Sequence, residues 1–193
     1  MLKGLKNLMS KLYEVRFHGR GGQGAWTASL LLAQAGLKEE KNIQSFPAFG
    51  PERAGAPITA YTRISDEPIQ IHSSVYEPDI VVVLDPTLLG PAVIEGLKPD
   101  SKVVVNTNES AAEVKKRLGL KKTEIWVVDA TGLALKVLGV NITNTALLGA
   151  VVRASGIVKL DSVLEVVKER FSGKVRDQNI EVVKIAYKEA VKG

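Results

Sequence analysis

Three short stretches constrain this chain more than anything else in it. Asp79-Ile-Val-Val-Val-Leu-Asp85, Lys102-Val-Val-Val-Asn106 and Ile125-Trp-Val-Val-Asp129 are near-continuous apolar runs closed by polar residues. A strand with one wet face alternates apolar and polar residues, so an unbroken run predicts strands covered on both faces, as in a parallel sheet. Helical patterns over Thr87–Leu97 and Ser110–Leu118 separate the three runs, and Gly119 follows the second as a C-cap. Strand, helix, strand, helix implies right-handed crossovers and a doubly wound sheet.

Upstream, Leu12–Phe17 predicts a first strand. Leu30, Leu31, Gln34 and Leu37 give Ala25–Lys38 a helical spacing, and Asn42–Phe46 predicts a second strand ending at Pro47. Pro57–Ser65 and Pro68–Ser73 flank Asp66-Glu67 and predict a β-hairpin insertion. Beyond Thr131 the pattern predicts only helices, at Gly132–Leu138, Thr145–Ser155, Asp161–Phe171 and Asp177–Lys192. Gly139, Gly156 and Gly173 punctuate them, and Asp161 is a candidate N-cap. The expected fold is a three-layer α/β/α, mainly parallel, Rossmann-like domain over residues 12–193, with an arm at 1–11. The 193 residues suit one domain of this kind, large enough to fold without cross-links.

The strongest local motif is Gly19-Arg-Gly-Gly-Gln-Gly24, between the first strand and the first helix. Glycine lets the backbone adopt positive φ and approach a ligand closely, and helix-start amides favour an anion. Arg20 and Gln23 add candidate donors. A dinucleotide fingerprint also needs an acid at the end of the second strand, to bind ribose hydroxyls. Ile43-Gln-Ser-Phe-Pro47 has none. Three readings stay open: a phosphate site, an NAD site lacking its acid, and a tight turn that only packs helix on strand.

The adjoining Ser45–Pro57 segment holds Phe46, Phe49, Glu52, Arg53 and three prolines, and it leaves the sheet beside the glycine loop. Arg53 would clamp a phosphate or carboxylate; alternatively Glu52 and Arg53 pair with each other and the two Phe residues fill core. His18 and His72 are too few to build a histidine metal site. Asp85 and Asp129 suit caps or turns. Lys115-Lys-Arg117 and Lys121-Lys122 form a basic run at a helix end. No serine lies in a G-x-S-x-G setting, so no catalytic residue is assigned.

With no Cys, the chain cannot hold cysteine-ligated iron–sulfur clusters or use a thiol nucleophile. Its net charge of +5 is spread in alternating blocks, and aromatics are only 5%. That pattern favours docking to charged protein surfaces over nucleic acid. No apolar run is long enough for a membrane span, and residues 1–11 lack a signal-peptide core, so a cytoplasmic location is expected. Leu2, Leu5, Leu8 and Met9 fall on one helical face of the arm, which suits a frayed or partner-docked segment better than a membrane-associated one.

Phe17-His-Gly-Arg-Gly-Gly-Gln-Gly24, Phe46-Pro-Ala-Phe-Gly-Pro-Glu-Arg-Ala-Gly-Ala-Pro57, Tyr61-Thr-Arg-Ile64 and Glu77–Asp85 occur in this order. Together they resemble the gamma subunit of 2-oxoacid:ferredoxin oxidoreductases, with the pyruvate and branched-chain branch closest. Asn144-Thr-Ala-Leu-Leu-Gly149 resembles a later motif of the family, so the likeness spans roughly residues 13–190. Ala54 stands where many relatives have a second arginine, which weakens any double-arginine clamp.

The resemblance implies a pyruvate synthase-type enzyme that converts pyruvate, coenzyme A (CoA) and oxidised ferredoxin to acetyl-CoA, CO₂ and reduced ferredoxin. Its partners would be alpha, beta and delta subunits, with ferredoxin reached through the complex. Thiamine diphosphate, magnesium and iron–sulfur clusters would sit in those other chains, leaving none bound by this one. Gly19, Arg20, Gly21, Gly22, Gln23, Gly24, Glu52 and Arg53 are the candidate contacts to CoA. The alternatives are a ketoisovalerate-type gamma subunit, a free-standing nucleotide-binding dehydrogenase-like protein and a pure interaction module.

Overall fold

The computed structural model describes residues 11–48 and 54–193. The three apolar runs become β4 (Ile80–Val83), β5 (Lys102–Asn106) and β6 (Glu124–Val128). They pair in parallel with one another and with β1 (Tyr13–Arg20). Their side chains alternate between two cores. Ile80, Val82 and Val104 join the larger core, while Val81, Val83, Val103 and Val105 join the smaller. Both faces are dry, which is why these strands tolerate no alternation in sequence.

The larger core packs α1 (Ala25–Lys38), α4 (Ala130–Leu138), α5 (Asn144–Ser155), α6 (Leu160–Arg170) and α7 (Gly173–Glu189) on one face. The other face carries α2 (Pro91–Ile94) and α3 (Ala111–Leu118), the latter opened by a full capping box between Ser110 and Glu113. The three-layer architecture is therefore as expected.

The sheet is more mixed than expected. Its order is β2-β3-β1-β4-β5-β6-β7, with β2 (Asn42–Pro47), β3 (Pro57–Ser65) and a short β7 (Val191–Lys192). The pairs β2–β3, β3–β1 and β6–β7 are antiparallel. The hairpin is formed by β2 and β3 across the 48–56 connection, and Pro68–Ser73 is not a strand. Arg63 supplies the physical reason. Its side chain lies within the sheet at 1% exposure, pairs with Glu14 at 2.7 Å, and donates to the carbonyls of Ile71 and Ser74. Those carbonyls serve the guanidinium rather than a ladder.

Three smaller expectations also change. Thr87–Leu97 is not one helix: a 3₁₀ turn at Pro86–Leu88 and α2 replace it, because Pro91 cannot donate to the preceding turn. Asp161 lies in the first turn of α6 but is not its cap. Instead Glu39, just past α1, accepts from the Lys159 amide at 2.6 Å and from Ser162 Oγ at 2.8 Å. Finally α7 stops at Glu189, and Val191–Lys192 pairs with β6, where Lys192 meets Glu124 at 2.7 Å. Among the described residues no helix is long and apolar enough to cross a membrane.

Arg63→Ala should lower the unfolding free energy by about 3 kcal/mol, because it strands partly buried Glu14 and releases the 66–74 segment. Urea denaturation of the two proteins measures it, and a change below about 1 kcal/mol would contradict the strap role.

Candidate functional site

α1 and α2 cover opposite faces, so the winding of the sheet reverses between the carboxyl ends of β1 and β4. Open α/β sheets bind ligands at such a switch point. Here the glycine loop emerges from β1, and Asp85 emerges from β4. The two are bound to each other. Asp85 Oδ2 accepts from Arg20 Nε at 3.1 Å and from Gln23 Nε2 at 2.9 Å. Its other oxygen accepts from the Thr87 amide at 3.0 Å and from Thr87 Oγ1 at 2.6 Å. Burial opposes ionisation of Asp85, but these bonds and the Arg20 charge outweigh it and hold the carboxyl below its usual value.

Arg20 is thus a strap rather than a free phosphate donor. Besides Asp85 it donates to the Gly55 carbonyl at 3.1 Å and to Thr87 Oγ1 at 2.8 Å, tying three connections together. Gln23 closes the loop on itself, its Oε1 accepting from the Arg20 amide at 2.8 Å. Gly19 lies within β1 opposite Ile58 of β3 and contributes close packing. The amide of Gly21 donates to the Ala56 carbonyl at 2.9 Å, and that of Gln23 to the Arg20 carbonyl at 3.0 Å. Half of the cradle is therefore taken up by the protein's own acceptors.

The other half is open. Gly24 is the N-cap of α1 with φ 76°, and among the described residues no side chain caps this helix. Gly22 has φ 96°, which also demands glycine. A Cβ on Gly24 would strike the side-chain amide of Asn144, the first residue of α5, so that residue braces the loop from behind. In front lies a cleft of about 480 Å³, lined by Gly21, Gly22, Gly24, Trp26, Thr27 and Ile58 among others. Glycines of the loop therefore do shape a concavity at a helix N-terminus, the arrangement that receives anions. Glu52 and Arg53 lie outside the described residues.

Behind the loop, His18 is buried and accepts from Arg16 Nε at 3.0 Å, while Arg16 Nη2 donates to the Glu95 carbonyl at 2.6 Å, just past α2. Burial and the neighbouring Arg16 charge push His18 down to about 4, so it is a neutral structural acceptor. Asp129 caps α4 through the Gly132 amide at 2.8 Å. The sequence reading gave Asp85 and Asp129 capping roles and both have them. It missed that Asp85 also anchors Arg20 and Gln23, and that Trp26, Thr27 and Asn144 belong to the site. The one available signal was position: Asp85 ends the strand that neighbours β1.

Similarity to known proteins extends over nearly the whole chain. The pyruvate ferredoxin/flavodoxin oxidoreductase family profile matches residues 14–189. This chain belongs to that family. It is 54% identical over 181 residues to the pyruvate/ketoisovalerate oxidoreductases common subunit gamma of Thermococcus kodakarensis, covering 93% of this chain and 98% of that protein. It is 47% identical to the pyruvate synthase subunit PorC of Methanocaldococcus jannaschii, covering 94% and 98%. The crystal structure of the pyruvate oxidoreductase subunit PORC of Thermotoga maritima superposes with a TM-score of 0.87 at 42% identity, covering 95% of this chain and 99% of that one.

Two outcomes test the site's internal logic. Asp85→Ala should speed amide hydrogen exchange across residues 20–24 roughly tenfold, equivalent to ~1.4 kcal/mol of lost local stability; unchanged exchange would show that Asp85 does not hold the loop. Separately, unfolded histidine binds a proton below its usual 6.5, whereas folded His18 does so only near 4. Stability should therefore fall as pH drops through that window, by about 2–3 kcal/mol between pH 7 and 4.5 from this group. Denaturant titrations of wild type and His18→Asn at the two pH values measure it. The variant should lose less than wild type, and equal losses would refute the assignment.

Proposed function

We propose that this chain is the gamma-type subunit of a pyruvate:ferredoxin oxidoreductase. It would dock against alpha, beta and delta subunits in the cytoplasm and present the open half of its glycine-loop cradle to CoA. The carrying observation is the cleft with an uncapped helix N-terminus at its floor, in a chain that matches PorC-type subunits along nearly their whole length. A diphosphate or 3′-phosphate is the natural acceptor for the α1 amides, and Gly22 and Gly24 allow its approach. The dehydrogenase alternative loses support because the end of β2, Phe46-Pro47, offers no acid for ribose.

The residues of this chain do not fit the enzyme's redox groups. It has no Cys, and among the described residues no group of three or more His, Asp or Glu could hold a metal ion. Cysteine-ligated clusters would therefore belong to the other subunits, and in the family resemblance thiamine diphosphate and magnesium go with them. Docking is favoured by apolar side chains left in solvent: Leu30 and Leu37 on α1, Leu135 on α4, and Val140 and Ile142 beyond it. The Thermococcus relative is named as common to pyruvate and ketoisovalerate enzymes. This favours a second reading in which one gamma chain serves both, with oxoacid choice made elsewhere.

Purification of the native complex, followed by assay with pyruvate, ketoisovalerate, CoA and ferredoxin, tests the assignment. Activity should require the assembled chains. A purified single chain that binds NAD and gains thermal stability from it would overturn the reading. For the cleft, Thr27→Asp is the sharper probe. Residue 27 lies in the first turn of α1, where a carboxylate suits the helix dipole, so the fold is preserved while an incoming phosphate is repelled. KM for CoA should rise roughly tenfold or more in the assembled enzyme. An unchanged value would remove CoA from this cleft.

A further inference from the structure

Trp26 is a large apolar residue in an unexpected place. It is 51% exposed, yet it stands in the first turn of α1 and forms part of the cleft wall. Trp126, the other tryptophan, is half-buried and donates its indole N–H to Glu124 at 2.6 Å. The surroundings of Trp26 are mostly apolar. Pro47, Ala48, Ala54 and Ile58 line the same cleft, with Gly22 and Gly24 at its polar end. A phosphate alone needs neither an indole nor these apolar neighbours. What fits both parts is a ligand that carries an anionic group a short reach from a flat, weakly polar ring.

We propose that Trp26 is a specificity-determining residue that stacks on the adenine ring of CoA while the phosphates of the same nucleotide end meet the open amides of the glycine loop. The inference rests on the CoA reading above and adds the orientation: adenosine end inward against α1, pantetheine arm outward toward the catalytic chains. The size agrees, because about 480 Å³ accommodates a nucleotide but not the whole of CoA. Stacking on an aromatic face needs no base-specific hydrogen bonds. This accounts for a nucleotide site with no acidic residue at the end of β2.

The test uses two fragments as competitive inhibitors of CoA in the assembled enzyme: adenosine 3′,5′-bisphosphate, which has the ring, and 4′-phosphopantetheine, which does not. Trp26→Ala should raise the inhibition constant of the bisphosphate roughly tenfold and leave that of 4′-phosphopantetheine within about twofold, whereas Trp26→Phe should retain most of the bisphosphate affinity. Equal weakening of both fragments would overturn stacking. So would failure of Trp26→Ala to enter the complex, which would place the indole in a subunit interface. If Thr27→Asp weakens the bisphosphate and Trp26→Ala does not, stacking fails and the CoA reading stands. If neither variant affects it, the CoA reading fails as well.

Discussion

At the reversal point of the sheet, a single carboxylate receives hydrogen bonds from both neighbouring turns. Asp85 takes Arg20 and Gln23 from the end of β1 and Thr87 from its own side. In doing so it narrows the crevice that open α/β sheets usually leave for a ligand, where about 180 Å³ remains between Gln23, Asp85, Asn106 and Thr131. The larger cleft lies on the far side of the glycine loop, between α1 and the β2–β3 hairpin. The Gly21 and Gln23 amides and the Arg20 guanidinium are committed to protein acceptors, so the loop keeps its shape before any ligand arrives. Such preorganisation lowers the ordering cost of binding.

The antiparallel wing has the same logic. Pairing β3 between β2 and β1 brings the hairpin's mouth next to the start of α1, which gives the cleft its second wall. Buried Arg63 then holds the return segment with hydrogen bonds to main-chain carbonyls instead of a further strand. A charged side chain at this depth is costly to leave unpaired, so the pairing with Glu14 and the carbonyl contacts are mutually required.

What could be read from the amino acids alone follows the range of the forces involved. The strands β4, β5 and β6 and the left-handed Gly119 after α3 depend on local pattern and burial, and each was legible. The wrong hairpin partner for β3 and the wrong cap for α6 depended on side chains arriving from elsewhere: Arg63 on Ile71 and Ser74, and Glu39 on Lys159, which is 120 residues away in sequence. The same limit applies to the site. The glycine pattern announced a loop of special backbone shape, but that the Gly21 amide is taken was decided by the Ala56 carbonyl, and that the Arg20 and Gln23 side chains are held was decided by Asp85; no spacing rule connects either to the loop.

Gly149 sits at the crossing of α5 and α7, where an added methyl would run into the Val183 carbonyl. The first residue of that same α5 is Asn144, pressed against Gly24 at the far end. One helix is thus held at its middle by α7 and bears at its first residue on the glycine loop. A bulkier residue at position 149 would therefore push on the same helix that braces the glycine loop through Asn144.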